Sequence, residues 1–307
     1  MTDHGSPVPV AIVGPTGSGK TALSLDIAEA LGGEIVNVDS MQMYRGMDIG
    51  TAKAPPSERR GIPHHHIDTL GVTETASVAA FRDSAIKDVD AIRARGRTAV
   101  IVGGSMMYLQ ALIDDWDFPP TDPRVRSRWM AVQEDIGVQK LHQHLATVDP
   151  AAASVIEAND PRRIVRALEV IELTGKPFAA SQPPKDRPTR WATRLIGLEA
   201  PAEWLNPRLE QRVRTMFDTG LIDETRALLE RGLSRDSTAG KAIGYSQAMS
   251  VIEGTMTREE AEESTLQGTR RYARRQRSWF RRDPRIHWIS AAATDVTEQA
   301  MAYLRKP

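Results

Sequence analysis

The sequence predicts an α/β fold, a parallel sheet flanked by helices with an all-helical domain inserted into it. Three observations predict it. The loop GPTGSGKT (Gly14–Thr21) sits between a short apolar run and an amphipathic stretch. Short strand-like runs alternate with helical periodicity up to about residue 117, and residues 118–188 are punctuated by prolines with little strand-like sequence. Alternation of the first kind builds a parallel sheet covered on both faces. The expected divisions are a P-loop α/β core at 1–117, a helical insertion at 118–188, and a return to the core with C-terminal helices at 189–307.

The elements follow in order. Val8–Val13 is a strand ending in glycine, and Thr21–Leu31 places Leu23, Ile27 and Leu31 on one helical face. This strand, loop and helix order is the context a phosphate loop requires, and it makes the core P-loop NTPase-like. Gly33–Asp39 reads as a second buried strand, Ser77–Arg95 as an amphipathic helix, and Thr98–Val102 as a third strand turned into a helix by Gly103-Gly104-Ser105. In the insertion, Asp122–Gly137, Gln139–Leu145, Pro150–Glu157 and Pro161–Thr174 are helices. Asp122-Pro123 and Asp160-Pro161 are helix starts, with the aspartate as cap and the proline in the first turn. Ser181–Thr189 is a polar, proline-rich linker. Arg194–Leu198 returns to the sheet, helices resume from Pro201 to Arg282, Arg285–Ile289 is a last strand, and Thr294–Leu304 a last helix.

The chain has 307 residues, 40 basic and 40 acidic side chains, and no cysteine. Neutral balance argues against a basic coat but leaves room for a local basic face. Without cysteine, disulfides and Cys-based zinc sites are impossible, and a cytoplasmic location is expected. The start MTDHGSPVP lacks the pattern of a signal peptide. No run of about 18 apolar residues occurs, so no membrane association is expected.

In the loop, glycines let backbone N–H groups converge on phosphate oxygens, and the helix N-terminus adds its positive end. Lys20 supplies a point charge and the Thr21 hydroxyl can ligate Mg²⁺. Such loops mark ATP-binding and other nucleotide-binding proteins, yet the phosphate need not be that of a nucleotide. Energy-coupling ATPases place a carboxylate at the end of a second core strand, whereas Thr98–Val102 ends in Gly103-Gly104-Ser105. No Asn-Lys pair exists for a guanine-specific N-K-x-D motif, and Asp68–Gly71 matches only the short D-x-x-G pattern.

The strand ending in Asp39 should deliver that carboxylate to the same sheet edge as the loop. There it can accept a proton from a nucleophile or bind a hydroxyl or amine. A turn or capping aspartate would occupy the same place, so position alone leaves both roles open. Met41, Met43 and Met47 could line an apolar pocket or pack in the core.

GPTGSGKT, then VDSMQMYRGMDIGTAKA, PHHHID, VGGSMMYLQAL, NDPRRIVRALEV and TGKP, in that order between Val10 and about Trp288, resemble the tRNA dimethylallyltransferase (tRNA isopentenyltransferase) family. The resemblance implies transfer of the five-carbon group of dimethylallyl diphosphate to exocyclic N6 of the adenosine 3′ of a tRNA anticodon, with release of diphosphate. The loop residues Gly14, Pro15, Thr16, Gly17, Ser18, Gly19, Lys20 and Thr21 would then hold the donor's diphosphate. Asp39 would orient the amine and accept its proton. Lys20, Mg²⁺ near Thr21, and Arg212 in LEQRVRTMF would neutralise the departing charge. A solvated helix arginine is the alternative for Arg212.

The acceptor base must leave its stack to react, so a channel is expected, with RNA entering from one side and the prenyl donor from the other. The resemblance implies contacts to the tRNA anticodon stem-loop at Asp39, Ser40, Met41, Gln42, Ser105, Arg126, Arg162, Arg163, Arg166, Lys241, Gly244 and Tyr245. KAIGYS departs from the family at its last position, often arginine elsewhere, and Ser105-Met106-Met107 departs from Thr-Gly-Leu while keeping a hydroxyl. A monomer is implied.

Outside these motifs, Arg270, Arg274, Arg277 and Arg281 fall at helical spacing with Tyr272, Trp279 and Phe280 between them. Such a stripe could follow an RNA backbone; the alternative is a solvated helix whose aromatics pack inward. His64-His65-His66 cannot form one ligand cluster from an extended segment, because neighbouring side chains alternate, and reads as a loop near the substrate end. Three rivals stand beside the transfer reading. They are a metabolite or nucleotide kinase, a nucleotide-gated RNA-binding switch, and prenyl transfer to free adenylate.

Overall fold

Six short strands, β1 (Val10–Val13), β2 (Glu34–Asn37), β3 (His64–His65), β4 (Ala99–Val102), β5 (Arg194–Glu199) and β6 (Ile286–Ser290), form one sheet in the order β3-β2-β4-β1-β5-β6. Every neighbouring pair is parallel. The computed structural model describes residues 6–114, 119–178 and 187–306.

Strand alternation decides the two faces. Val10, Ile12, Val100, Val102 and Ile196 pack with Leu23, Ile27 and Ala28 of α1 (Lys20–Leu31) and Ala300 of α12 (Val296–Leu304). Their neighbours Ala11, Val13, Ile101 and Leu195 point the other way, onto Phe81, Val89 and Ile92 of α2 (Val78–Ala94) and Leu109 and Leu112 of α3 (Met106–Ile113). This two-residue period along strands buried on both sides is what a parallel sheet demands. Ser77 caps α2 through Ala80 N–H, which fixes where that helix starts.

The remaining helices of the core, α8 (Ala202–Asp218), α9 (Leu221–Glu230), α10 (Tyr245–Ile252) and α11 (Arg258–Phe280), enclose a separate apolar cluster. Tyr44 and Met47, both fully buried, plug into it from the segment after β2. The apolar pocket considered for the methionines therefore keeps only Met41, which lines a cavity; Met43 and Met47 are core residues.

The chain divides into two compact units, Met1–Asp114 with Asp186–Pro307, and Asp115–Lys185. The second consists of α4 (Pro123–Ile136), α5 (Val138–Val148), α6 (Pro150–Val155) and α7 (Pro161–Thr174). Asp122 Oδ1 accepts from Arg124 N–H at 2.7 Å and Asp160 Oδ1 from Arg163 N–H at 3.1 Å, each followed by proline at the first helical position. Its core gathers Leu141, Leu145, Ile156, Ile164 and Leu168. The expected boundary at 117/118 and most of the linker at 181–189 lie outside the described residues.

One expectation is corrected at the sheet edge. His64 and His65 form β3, paired with Ile35 and Val36, and not a loop. A two-residue strand leaves too short an alternation for sequence periodicity to register.

Candidate active site

The phosphate loop leaves β1 at Gly14 and enters α1 at Lys20. A Cβ on Gly14 would lie 2.9 Å from the carbonyl oxygen of Leu198 on β5, so only glycine lets the loop cross that strand. Gly19 caps α1 with φ +93°, in the left-handed region. The first turn of α1 leaves its N–H groups without helical partners, pointing out of the loop. Lys20 Nζ donates to Pro15 O at 2.8 Å, inside the loop it would serve. Burial pushes this ammonium down to about 7, with the Asp39 charge opposing the fall and Arg212 adding to it. Thr21, one position on, is exposed.

Asp39 follows β2 at the carboxyl edge of the sheet, as its neighbour Asn37 dictates. Asn37 Oδ1 accepts Asp39 N–H at 3.3 Å, and Asn37 Nδ2 donates to Asp39 O and to His66 O. Asp39 Oδ1 in turn accepts Met41 N–H at 3.0 Å, so the carboxylate closes its own turn. Ser105 Oγ accepts Ser40 N–H at 3.0 Å and donates to Ser40 Oγ at 3.2 Å, locking the turn to the end of β4. Gln42 Nε2 and Arg212 Nη2 both donate to Thr51 O, at 3.1 and 3.4 Å. The Arg212 guanidinium is pulled down by burial, with Asp39 opposing.

Two cavities meet here. The larger, about 670 Å³, is lined by Lys20, Thr21, Asp39, Gln42, His64, Arg208, Gln211 and Arg212 among others. The smaller, about 300 Å³, has an apolar wall of Met41, Val213, Met216, Ala242 and Ile243, with Ser40, Lys241, Tyr272 and Gln276 around it. Thr16, Lys20, Asp39, Thr51, Gly104 and Arg212 line both. A phosphate group held by the loop in the first cavity and a flat polar group entering the second would approach each other at Asp39.

The other expected residues separate. Gly17, Gly19 and Thr21 face the larger cavity, Ser40, Met41 and Lys241 the smaller. Gly244 caps α10, its N–H donating to Gln247 Oε1. Tyr245 is fully buried and its hydroxyl donates to Glu224, so the structure does not present it as a nucleic-acid contact. In the helical unit, Arg126 and Arg166 both bond the fully buried Glu169, whereas Arg162 and Arg163 are exposed. Burial alone would raise the Glu169 carboxyl, but hydrogen bonds from Arg166, Arg126 and Thr121 win and hold it at about 2.

The arginine stripe is also redistributed. Arg277 donates to Ala200 O, Arg281 to Glu199, and Arg285 to Asp114 and Asp283. Of the expected stripe, Arg274 and Arg281 are exposed, and Arg271 and Arg275 on α11 are exposed beside Arg274. His65 Nε2 lies 2.8 Å from Glu34 and His66 Nε2 2.8 Å from Asp88, which His65 Nδ1 also approaches at 4.0 Å. Sequence reasoning missed Thr51, Arg208, Gln211, Glu224 and Gln276. For Gln276 a signal existed: it stands one helical turn from Tyr272 and off the arginine face.

The family model described as IPP transferase matches residues 42–283. The tRNA dimethylallyltransferase of Corynebacterium jeikeium (strain K411) is 64% identical over 292 residues, 95% of this chain and 94% of that one. A solved tRNA isopentenylpyrophosphate transferase from Bacillus halodurans superposes with a TM-score of 0.71 at 39% identity, covering 97% of this chain and 95% of that one. A eukaryotic dimethylallyltransferase solved acting on tRNA gives a TM-score of 0.81 at 27% identity over 97% of this chain and 78% of its own. A phosphate loop, a strand-end aspartate and two confluent cavities thus coincide with likeness along nearly the whole chain, and the protein belongs to the IPP transferase family.

Proposed function

We propose that this protein transfers the dimethylallyl group of dimethylallyl diphosphate to exocyclic N6 of the adenosine 3′ of the anticodon in tRNA. The observation that carries the reading is the meeting of two cavities of different character at Lys20, Asp39 and Arg212. The larger cavity takes the donor, its diphosphate on the loop from Gly14 to Thr21. The smaller takes the unstacked adenine, whose faces suit the apolar wall and whose polar edge reaches Asp39.

In the step itself the bond from C1 of the donor to the diphosphate oxygen breaks, and the electron pair leaves with diphosphate. A bond from N6 to C1 forms, and N6 gives one proton to the Asp39 carboxylate. Adenine N6 is a weak nucleophile because its lone pair is delocalised, so a base aimed at its proton and a stabilised leaving group are both needed. Lys20, Arg212 and the first-turn N–H groups of α1 supply positive charge to the leaving diphosphate. Mg²⁺ takes oxygen ligands and binds through one or two protein groups plus substrate phosphates. An exposed Thr21 hydroxyl on the donor cavity fits that donor set, and the ion would neutralise phosphate charge there.

Arg162 and Arg163 on α7 and the exposed arginines of α11 are the basic groups we assign to the tRNA backbone; the core of 1–117 and 189–307 carries the chemistry. Among the described residues no helix is long and apolar enough to cross a membrane. We place the protein in the cytoplasm, with its tRNA, as a monomer.

The test is transfer of labelled dimethylallyl diphosphate with Mg²⁺ to unmodified tRNA, with AMP as a parallel acceptor. Label on tRNA alone, lost in Asp39→Ala, is the expected result. Label on AMP would move the protein to free-nucleotide prenylation, and ATP turnover without prenyl transfer would overturn the reading.

A further inference from the structure

Gln276 on α11 is 1% exposed, and its side chain spans the two halves of the site. Its Oε1 accepts the N–H of Thr16 in the phosphate loop at 2.8 Å, across 260 residues of sequence. Its Nε2 donates to Gly104 O at the end of β4 at 2.9 Å, and Tyr272 Oη reaches the same carbonyl at 3.3 Å. Thr16 and Gly104 both line both cavities, so one amide side chain sets the spacing between the loop after β1 and the turn after β4. The turn is shaped for it. A Cβ on Gly104 would lie 2.1 Å from Gln276 Nε2, with every other neighbour at 3.3 Å or beyond.

A side-chain amide carries its acceptor and its donor on separate atoms, so it satisfies a backbone N–H with one and a backbone carbonyl with the other. The bond to Gly104 is buried and the bond to Thr16 partly so, and losing either leaves a backbone group short of its partner. The loop would then relax toward another acceptor and present its remaining N–H groups out of register with a diphosphate.

We infer that Gln276 is a positioning residue for the phosphate loop, holding Thr16 and Gly104 so that the loop is pre-formed for diphosphate. Gln276 touches neither reacting atom in this role; it acts through the two backbone groups. The inference rests on the donor-binding reading above, and its test separates the two.

Gln276→Met keeps length and bulk but removes both hydrogen bonds. Gly104→Ala disturbs the same contact from the other side. Isothermal titration with inorganic diphosphate and Mg²⁺ should show affinity falling about tenfold in each, the order expected for a buried hydrogen bond lost. Gln276→Ala removes the obstacle to a Cβ at Gly104, so the double variant Gly104→Ala with Gln276→Ala should bind diphosphate no more weakly than Gln276→Ala alone. Donor KM should rise in parallel, by more than kcat at saturating donor changes. Diphosphate affinity unchanged in variants that melt as cooperatively as the parent, losses that multiply in the double variant, or no diphosphate binding by the parent would each overturn the inference. A parent that transfers nothing to tRNA, yet binds diphosphate in a Gln276-dependent way, would sink the functional reading and leave this one standing.

Discussion

Tyr245 donates its hydroxyl to Glu224 across 2.5 Å, and the same carboxylate accepts the backbone N–H groups of Asp48, Ile49 and Gly50 at 3.2, 2.9 and 3.5 Å. Thr51, the next residue, turns its carbonyl to Gln42 and Arg212. A tyrosine expected to touch RNA is thus a buried support for one wall of the site.

Tyr245→Phe should therefore lose stability, by about 1.5–3 kcal/mol for a hydrogen bond to a charged group. The dependence of tRNA affinity on salt should not change. Denaturant unfolding and filter binding at several ionic strengths measure the two. An unaltered midpoint with a shallower salt slope would return Tyr245 to the RNA interface.

Lys20 gives the free protein a titration near neutral pH, because burial pushes its ammonium down to about 7. A bound diphosphate favours the charged form. Below pH 7 the charge is already present; above it, donor binding must take up a proton. Donor KM should then rise with pH above about 7, by up to roughly tenfold per unit. A donor KM profile from pH 6 to 9 checks this, and Lys20→Arg should flatten it because guanidinium stays charged.

The helical unit separates supporting arginines from available ones. Arg166→Ala removes a partner of Glu169, whose side chain is fully buried, and should destabilise the protein by about 2 kcal/mol. The Glu169 carboxyl, held at about 2, contributes stability present above its ordinary value near 4.5 and lost as pH falls toward 2. Arg166→Ala should flatten acid unfolding across that window. Arg162→Ala should leave stability within about 0.5 kcal/mol, as surface changes do, and reduce the salt slope of tRNA binding by roughly one unit if one phosphate contact is lost.

The same contrast holds between α11 and the segment that follows it. Arg271→Ala, Arg274→Ala and Arg275→Ala remove exposed charges and should each weaken tRNA binding in a salt-dependent manner. Arg285→Ala breaks bonds to Asp114, which is buried, and to Asp283, and should appear as lost stability. Equal effects of the two kinds of substitution would contradict this sorting of the arginines.

What could be read from the sequence was what neighbouring residues settle among themselves. GPTGSGKT carries its own loop geometry, and Asp122 and Asp160 announce helix starts because a cap acts within three residues. Asp39 was legible because a strand after a phosphate loop ends at the same edge. The partners of these groups were not. Glu224 meets Ile49 across 175 residues and Gln276 meets Thr16 across 260; helical spacing puts Gln276 off the arginine face, but no local pattern names its partner, or that of Glu224. The stripe at Arg270, Arg274, Arg277 and Arg281 shows the reverse fault. Helical spacing put those arginines on one face, but carboxylates and carbonyls elsewhere in the fold claimed several of them.

Asp39 carries two duties that one substitution can separate. Its Oδ1 closes a turn onto Met41 N–H, and its carboxylate faces both cavities. Asp39→Asn keeps a side-chain oxygen for the turn but cannot take a proton at neutral pH. Folding, diphosphate affinity and the KM for tRNA should stay near those of the parent, while kcat falls about 10²–10⁴-fold, the usual contribution of a general base. Asp39→Ala removes the turn bond as well and should add a loss of stability. Single-turnover transfer with saturating tRNA, beside thermal unfolding of both variants, resolves the pair. If Asp39→Asn retains most of the single-turnover rate, the carboxylate serves the turn alone and the proton of N6 leaves by another route.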